Sequence, residues 1–272
     1  MEHGNIFDHP PREKINPYLT AAGLVARRLK WDLSPASWTS RKKIKQWKDQ
    51  YSSQKAVILC NGPSLNKVDF DKLQQAGVFT FGLNKINLLF DKVDFKPSCI
   101  VSVNSFVMKQ NKDFYNATDI PLFLDAKGKK WIRLRHNVHF LHSASGLGHF
   151  ARDCSVSINQ GSTVTYVAMQ LAFHMGFTEV GLVGCDHNFT TKGPPNKEVE
   201  GEKEDPNHFD FRYFSNGVTW QLPDLPASEL HYEKARDMYT HFGRRLVNCT
   251  EGGKLEILER MSFEHFLDEY HS

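Results

Sequence analysis

The sequence predicts an α/β fold, a doubly wound and mostly parallel sheet of the Rossmann-like type, and three observations carry that prediction. From residue 55 onward, short apolar runs alternate with helical segments. The runs are continuous instead of alternating, as expected for strands buried on both faces. The strongest helical pattern in the chain passes straight into one of these runs, which makes half of a β-α-β unit.

Strands are predicted at Ala56–Cys60, Phe79–Leu83, Cys99–Val103, Pro121–Asp125, Val138–Leu141, Glu179–Val183 and Leu246–Asn248. The strongest helix runs from Ser162 to His174. Val164, Val167, Ala168, Leu171, Ala172 and Met175 follow i, i+3, i+4, i+7, i+8 and i+11, and Gly176 stands where a helix-ending glycine belongs. A second helix, Ser228 to Phe242, ends at Gly243 and feeds the last strand. Residues 1–54 read as a basic helical N-terminal extension. Asn16-Pro17 starts a helix bearing Tyr18, Leu19, Ala22, Val25, Ala26 and Leu29 at helical spacing, and Pro35 interrupts it. Residues 55–272 form the catalytic domain, within which residues 185–226 break the alternation. That stretch is rich in Pro, Gly and charge, yet it contains Phe189, Phe209, Phe211, Tyr213, Phe214 and Trp220. It reads as a lid or acceptor-binding insert at a strand's carboxyl end, where ligands bind in open α/β sheets.

Composition narrows the function classes. A chain of 272 residues that is 40% hydrophobic, with 20 Phe and 5 Trp, is globular. Its net charge of +3 does not imply nucleic acid, and none is expected as a partner. The charge is uneven, however. Nine Lys and Arg residues lie between Arg27 and Lys55, against Asp32 and Asp49. A solvated helix face and peripheral docking on anionic lipid both account for this run. Five scattered cysteines form no C-x-x-C pair, which suits a reducing cytosol. No stretch has transmembrane length, so the expected location is cytoplasmic, with peripheral contact at the inner face of the membrane. Oligomeric state is left open.

Candidate site residues cluster at predicted strand ends. Asn61-Gly62-Pro63-Ser64 follows the first strand, as a strand-to-helix turn or as an anion-accepting concavity. It is neither a Walker A loop nor G-x-G-x-x-G. Asn84 and Asn104 follow the second and third strands, placed to bond a base, a ribose or a sugar. Asn159-Gln160-Gly161-Ser162-Thr163 precedes the strongest helix, where its hydroxyls cap the helix, bind an anion, or do both. Gly184-Cys185-Asp186-His187 closes the next strand. The candidate general bases are His187 first and His208 second, with His231 also considered, and Asp186 is a candidate to orient His187, bind a hydroxyl or hold a metal. No metal site is expected, since Asp186 lacks a second nearby carboxylate.

The ordered set resembles a known group of proteins. NGPSL after the first strand, an Asn at a strand end, and a helix–strand unit closing in L-x-G-x-D are similar to the bacterial sialyltransferases of glycosyltransferase family forty-two. They are also similar to a broader family that includes motility accessory factors and archaeal 6-hydroxymethylpterin diphosphokinase-like proteins. The tail NCTEGG resembles that broader family as well. The sialyltransferase resemblance implies a CMP-sugar donor, inverting transfer to a hydroxyl and no obligatory metal. It implies that Asn61, Gly62, Ser64 and Asn84 hold the nucleotide. Gly161, Ser162 and Thr163 would meet phosphate or the sugar carboxylate, and Gly184 and Asp186 the ribose or base. This chain departs from those enzymes at His187-Asn188-Phe189, where they carry aromatic hydroxyls, and their catalytic histidine has no aligned match here. The diphosphokinase resemblance implies ATP, magnesium and a pterin-like alcohol, but Asp186 and Asp125 are the only acids near the predicted strand ends. The expected function is therefore glycosyl transfer from a nucleotide-activated sugar to a cell-surface glycan. The alternatives are a magnesium-dependent diphosphokinase and a non-catalytic nucleotide- or glycan-binding protein.

Overall fold

Every strand of the central sheet is parallel to its neighbours in the computed structural model, which describes residues 16–144, 148–190, 193–201, 203–215 and 217–268. Parts of the expected extension (1–15), of the expected insert (191, 192, 202 and 216) and of the C-terminus (269–272) lie outside the described residues. The strands are β1 (Lys55–Leu59), β2 (Phe79–Leu83), β3 (Cys99–Ser102), β4 (Leu122–Asp125), β5 (Val138–Leu141) and β6 (Glu179–Val183). A separate antiparallel hairpin, β7 (Glu198–Glu200) with β8 (Thr219–Gln221), lies inside the insert, and β9 (Arg245–Asn248) and β10 (Glu259–Arg260) complete the set. The sheet order is β10-β9-β6-β1-β2-β3-β4-β5. The predicted doubly wound α/β class is the observed one, and all seven predicted strands are present within a residue at each end.

The apolar runs are continuous because both faces are covered. Ala56 and Ile58 of β1 face one core, with the helices α6 (Val164–Met175) and α7 (Leu225–His241). Val57 and Leu59 face the other, with α3 (Phe70–Ala76), α4 (Ser105–Gln110), α5 (Lys112–Ala117) and α8 (Phe263–Asp268). Residues Thr165 to Met175 of α6 are all buried. Each of its large apolar side chains contributes about 1.5–3 kcal/mol of burial, so packing, not propensity, holds this helix. Thr163 is its N-cap and Gly176, at φ 100°, ends it.

The N-terminal region has two helices, α1 (Pro17–Asp32) and α2 (Pro35–Gln46), with Pro35 at the first position of the second. Helix α2 packs against the edge strand β5. Ser40 Oγ accepts the Phe140 N–H at 3.0 Å, and Lys43 donates to the carbonyls of Arg135 and His136. An otherwise open sheet edge is thereby closed. His174 Nε2 meets Ile44 O at 2.9 Å and joins α2 to α6. Part of the basic run is taken up by ion pairs: Arg28 and Arg41 bind Asp32, Lys48 pairs with Asp153, and buried Lys55 with Glu179. All five cysteines are free and buried, and among the described residues no helix is long and apolar enough to cross a membrane.

Candidate functional site

Strands β2 to β5 wind away from β1 in one direction, and β6 lies on its other side. The connections therefore part between β1 and β6, and the loops that follow these two strands open a crevice, as doubly wound sheets do at such a point. The two loops are locked together. Cys60 N donates to Val183 O at 2.8 Å, and Gly62 N donates to Gly184 O at 2.9 Å. A Cβ on Gly62 would lie 2.0 Å from Asp186 Oδ2 and 2.7 Å from Gly184 O, so glycine is required by the closeness of the neighbouring loop. Gly184 has φ 70°, and a Cβ there would lie 2.7 Å from Cys60 O. Asp186 Oδ2 accepts from Ser64 N at 3.2 Å and from Ser64 Oγ at 2.7 Å. Much of the N-G-P-S signature is thus explained as one half of a clasp between strand ends, with Asp186 as the other half.

A cavity of about 300 Å³ opens beside this clasp. Of the sequence-predicted residues, Asn61, Gly62, Asn84, Asn104, Ser162, Thr163, Gly184, Asp186, His187 and His208 all line it. Pro63, Ser64 and Gly161 stand outside the lining: Pro63 begins a 3-10 turn, Ser64 serves the clasp, and Gly161 N donates to Asn159 Oδ1. His231 is directed away, with Nδ1 at the Ala227 carbonyl on its own helix. Asn104 Oδ1 caps α4 by accepting from Phe106 N and Val107 N. Asn84 Oδ1 accepts from Ser102 Oγ, while Asn61 Oδ1 is buried without a partner among the described residues.

Buried Gln170 shapes the loop before α6. Its Oε1 accepts from Ala151 N and Asn159 N, and its Nε2 donates to Asn159 O and Tyr166 O. Four non-glycine residues on the cavity wall have left-handed backbone: Asn84 (φ 49°), Ser162 (φ 62°), His187 (φ 51°) and Asn196 (φ 61°). Such conformations cost energy and persist where surrounding structure enforces them, often at functional sites.

The insert closes the cavity from above and is latched to the sheet. Phe209 N donates to Asn61 O at 2.9 Å, and Asn66 and Lys92 both donate to Phe209 O. Lys85, which is 8% exposed, donates to Tyr213 O at 2.6 Å and sits 4.9 Å from the Phe214 ring centre. Burial pulls its ammonium down to about 8. Both histidines on the wall are paired with carboxylates. His187 Nε2 lies 2.9 Å from Glu229 Oε1. His208 Nδ1 lies 2.7 Å from the buried Asp205 Oδ2, and its ring stacks on Tyr213 at 4.0 Å between centres. The Cys60 thiol is hydrogen-bonded with Cys185 and buried, which pushes it well above the usual thiol range; it remains a protonated wall atom, not a nucleophile.

Residues 36–192 match the family described as "6-hydroxymethylpterin diphosphokinase MptE-like", over more than half of the chain. The chain belongs to the MptE-like family. This MptE-like chain is also similar in structure to the MAf glycosyltransferase from Magnetospirillum magneticum AMB-1, at 14% identity and a TM-score of 0.49. The similarity covers 91% of this chain and 42% of that one, so the MptE-like chain spans less than half of that protein's length. No curated protein matches it.

Several wall residues were not singled out from the sequence: Asn196, Asn207, Gln221 and Tyr232, together with the histidine partners Asp205 and Glu229. The D-P-N-H spacing places Asp205 three residues before His208 and is the one signal that could have found such a pair. Glu229 comes from a helix 42 residues beyond His187 and leaves no local trace.

Proposed function

We propose that this protein transfers a sugar from a nucleotide-activated donor of the CMP-sugar type to a hydroxyl of a glycan acceptor. The observation that carries this reading is the chemistry of the cavity wall. Among the described residues, eight carboxamides line it, with aromatic rings including Phe106, Phe214 and Trp220, one carboxylate, and no lysine or arginine. A carboxamide both donates and accepts, which suits sugar hydroxyls and the edge of a nucleobase. Polyphosphate transfer concentrates negative charge, and enzymes meet it with cationic side chains or with magnesium held by carboxylates. Here the single carboxylate among the described wall residues, Asp186, is already bonded to Ser64. A lone phosphodiester asks for less, and the start of α6, whose Thr163 to Thr165 line the cavity, offers the positive end of a helix dipole.

In the proposed step the acceptor hydroxyl loses its proton to His208 Nε2. Its oxygen bonds to the anomeric carbon, and the bond from that carbon to the donor phosphate breaks with its electron pair on the departing nucleotide. Asp205 fixes the His208 ring and favours the imidazolium that forms. This ranking places His208 ahead of His187, whose Nε2 is engaged by the half-exposed Glu229. The aromatic insert keeps water from the donor.

The family description supports a second reading, a magnesium-dependent diphosphokinase acting on a pterin-like alcohol. Thermal-shift titration with CMP, CDP, UDP, ADP and ATP, each with and without magnesium, separates the two. We expect stabilisation by CMP or CDP without metal, by about 2.7 kcal/mol at a hundred times Kd. Stabilisation by ATP with magnesium alone would overturn the glycosyltransferase reading.

A further inference from the structure

Helix α1 turns its apolar stripe outward. Tyr18, Leu19, Val25, Leu29 and Leu33 are 84, 70, 59, 51 and 71% exposed, and Trp38 on the next helix is 60% exposed. At about 100° per residue, the four α1 positions and Leu33 at its C-cap fall within an arc of about 120°. The opposite face carries Trp31, 5% exposed, which stacks on His142 and lies under the Lys129 ammonium. The helix is therefore attached to the domain by one side, with an amphipathic helix's apolar face left uncovered.

The rim of this stripe is cationic. Lys30, about 20° beyond the edge of that arc, and Lys42 and Lys45, on the same face of α2 as Trp38, are exposed. Asp32 is the one acid in the two helices, and Arg28 and Arg41 already hold it. Among the described residues, Arg27, Lys30, Lys42 and Lys45 form no ion pair. A second copy packed on this face about a two-fold axis would set the cations against themselves. An anionic surface with an apolar interior complements both features, and Tyr18 and Trp38 are the residue types that settle at its boundary.

We infer that this face docks on an anionic bilayer, with Leu19, Val25, Leu29 and Leu33 between the head groups and Lys30, Lys42 and Lys45 on lipid phosphates. The test is co-sedimentation of the full chain with vesicles of phosphatidylcholine alone, and with vesicles of phosphatidylglycerol and phosphatidylcholine in equal parts. Binding to the anionic vesicles is expected, with release at high salt. The double variant Lys30→Gln, Lys42→Gln should weaken it roughly 30-fold, at about fivefold per lost charge. Val25→Asp with Leu29→Asp should abolish it while leaving the circular dichroism spectrum unchanged. Brominated lipid should quench tryptophan fluorescence in the wild type and to a lesser degree in Trp38→Phe. Failure to bind anionic vesicles, equal binding to neutral ones, or binding that survives Val25→Asp with Leu29→Asp would each overturn the inference. A dimer formed through this face in place of vesicle binding would do the same.

Discussion

Replacing Gly62 by alanine adds one methyl group at the point where the two loops of the site touch. The backbone at Gly62 (φ −72°, ψ 163°) accepts any residue, so conformational strain plays no part. The methyl would stand 2.0 Å from Asp186 Oδ2 and 2.7 Å from the Gly184 carbonyl oxygen. The first neighbour is a side chain that can retreat only by releasing Ser64 N and Oγ; the second is backbone. Overpacking typically costs about 1–3 kcal/mol. Losing hydrogen bonds to a charged acceptor adds about 1.5–3 kcal/mol. A destabilisation of about 3–5 kcal/mol is expected, a fall of roughly 6–10 °C in Tm at about 2 °C per kcal/mol. The double variant with Asp186→Ala removes the closer obstacle, so its cost should fall short of the sum of the single costs by more than about 1 kcal/mol. Gly23→Ala is the control. Nothing lies within 4 Å of the added methyl in helix α1, and the same exchange should be neutral or stabilise by up to about 1 kcal/mol. Denaturant unfolding of the four variants is the assay. An unchanged midpoint for Gly62→Ala, or strict additivity with Asp186→Ala, would refute the clasp.

Two further outcomes are expected. His139 is 5% exposed, and burial holds its imidazole down to about 4. It takes the Trp47 N–H on Nε2 and faces the Leu122 carbonyl with Nδ1, a neutral-ring arrangement. The unfolded chain binds the proton first, so stability is full above about pH 6.5 and falls as pH drops toward 4, by about 3 kcal/mol in all. Denaturant midpoints against pH should show this slope in the wild type and less of it in His139→Phe; equal slopes would remove His139 as its source. The third outcome concerns the latch: Lys85→Met leaves the Tyr213 carbonyl without its charged donor. Hydrogen exchange at the Phe209 and Phe214 amides should then accelerate about tenfold, for a loss of about 1.5 kcal/mol. Unchanged exchange there would mean that the aromatic packing alone holds the insert.

The strands of the sheet were readable because burial on both faces writes itself as uninterrupted apolar residues, as in Ala56 to Leu59. Helix α6 was readable because its period and its closing Gly176 agree. The two-residue strand β10 and the charged strand β7 were not, since neither buries enough apolar surface to leave a pattern. At the site, residues that immediately follow strands could be placed from the strands themselves, which is how Asn61, Asn84, Asp186 and His187 were found. The meaning of Ser64 could not, because its partner Asp186 lies 122 residues away. Asn196, Asn207 and Gln221 come from irregular chain, whose path is set by contacts such as Asn61 O with Phe209 N and by no periodicity.

The left-handed backbone at Asn84, Ser162, His187 and Asn196 bears on how this protein would respond to selection. Glycine at such positions relieves about 1 kcal/mol or more where the native side chain contributes little to folding. Heat resistance selected on its own would therefore reward changes around the mouth of the cavity sooner than changes in the close-packed cores. The same steps would strip an amide, a hydroxyl or an imidazole from the wall. Thermal robustness and the polarity of the cavity wall are thus set in opposition at the same few positions, and a more durable descendant of this chain would carry a plainer cavity.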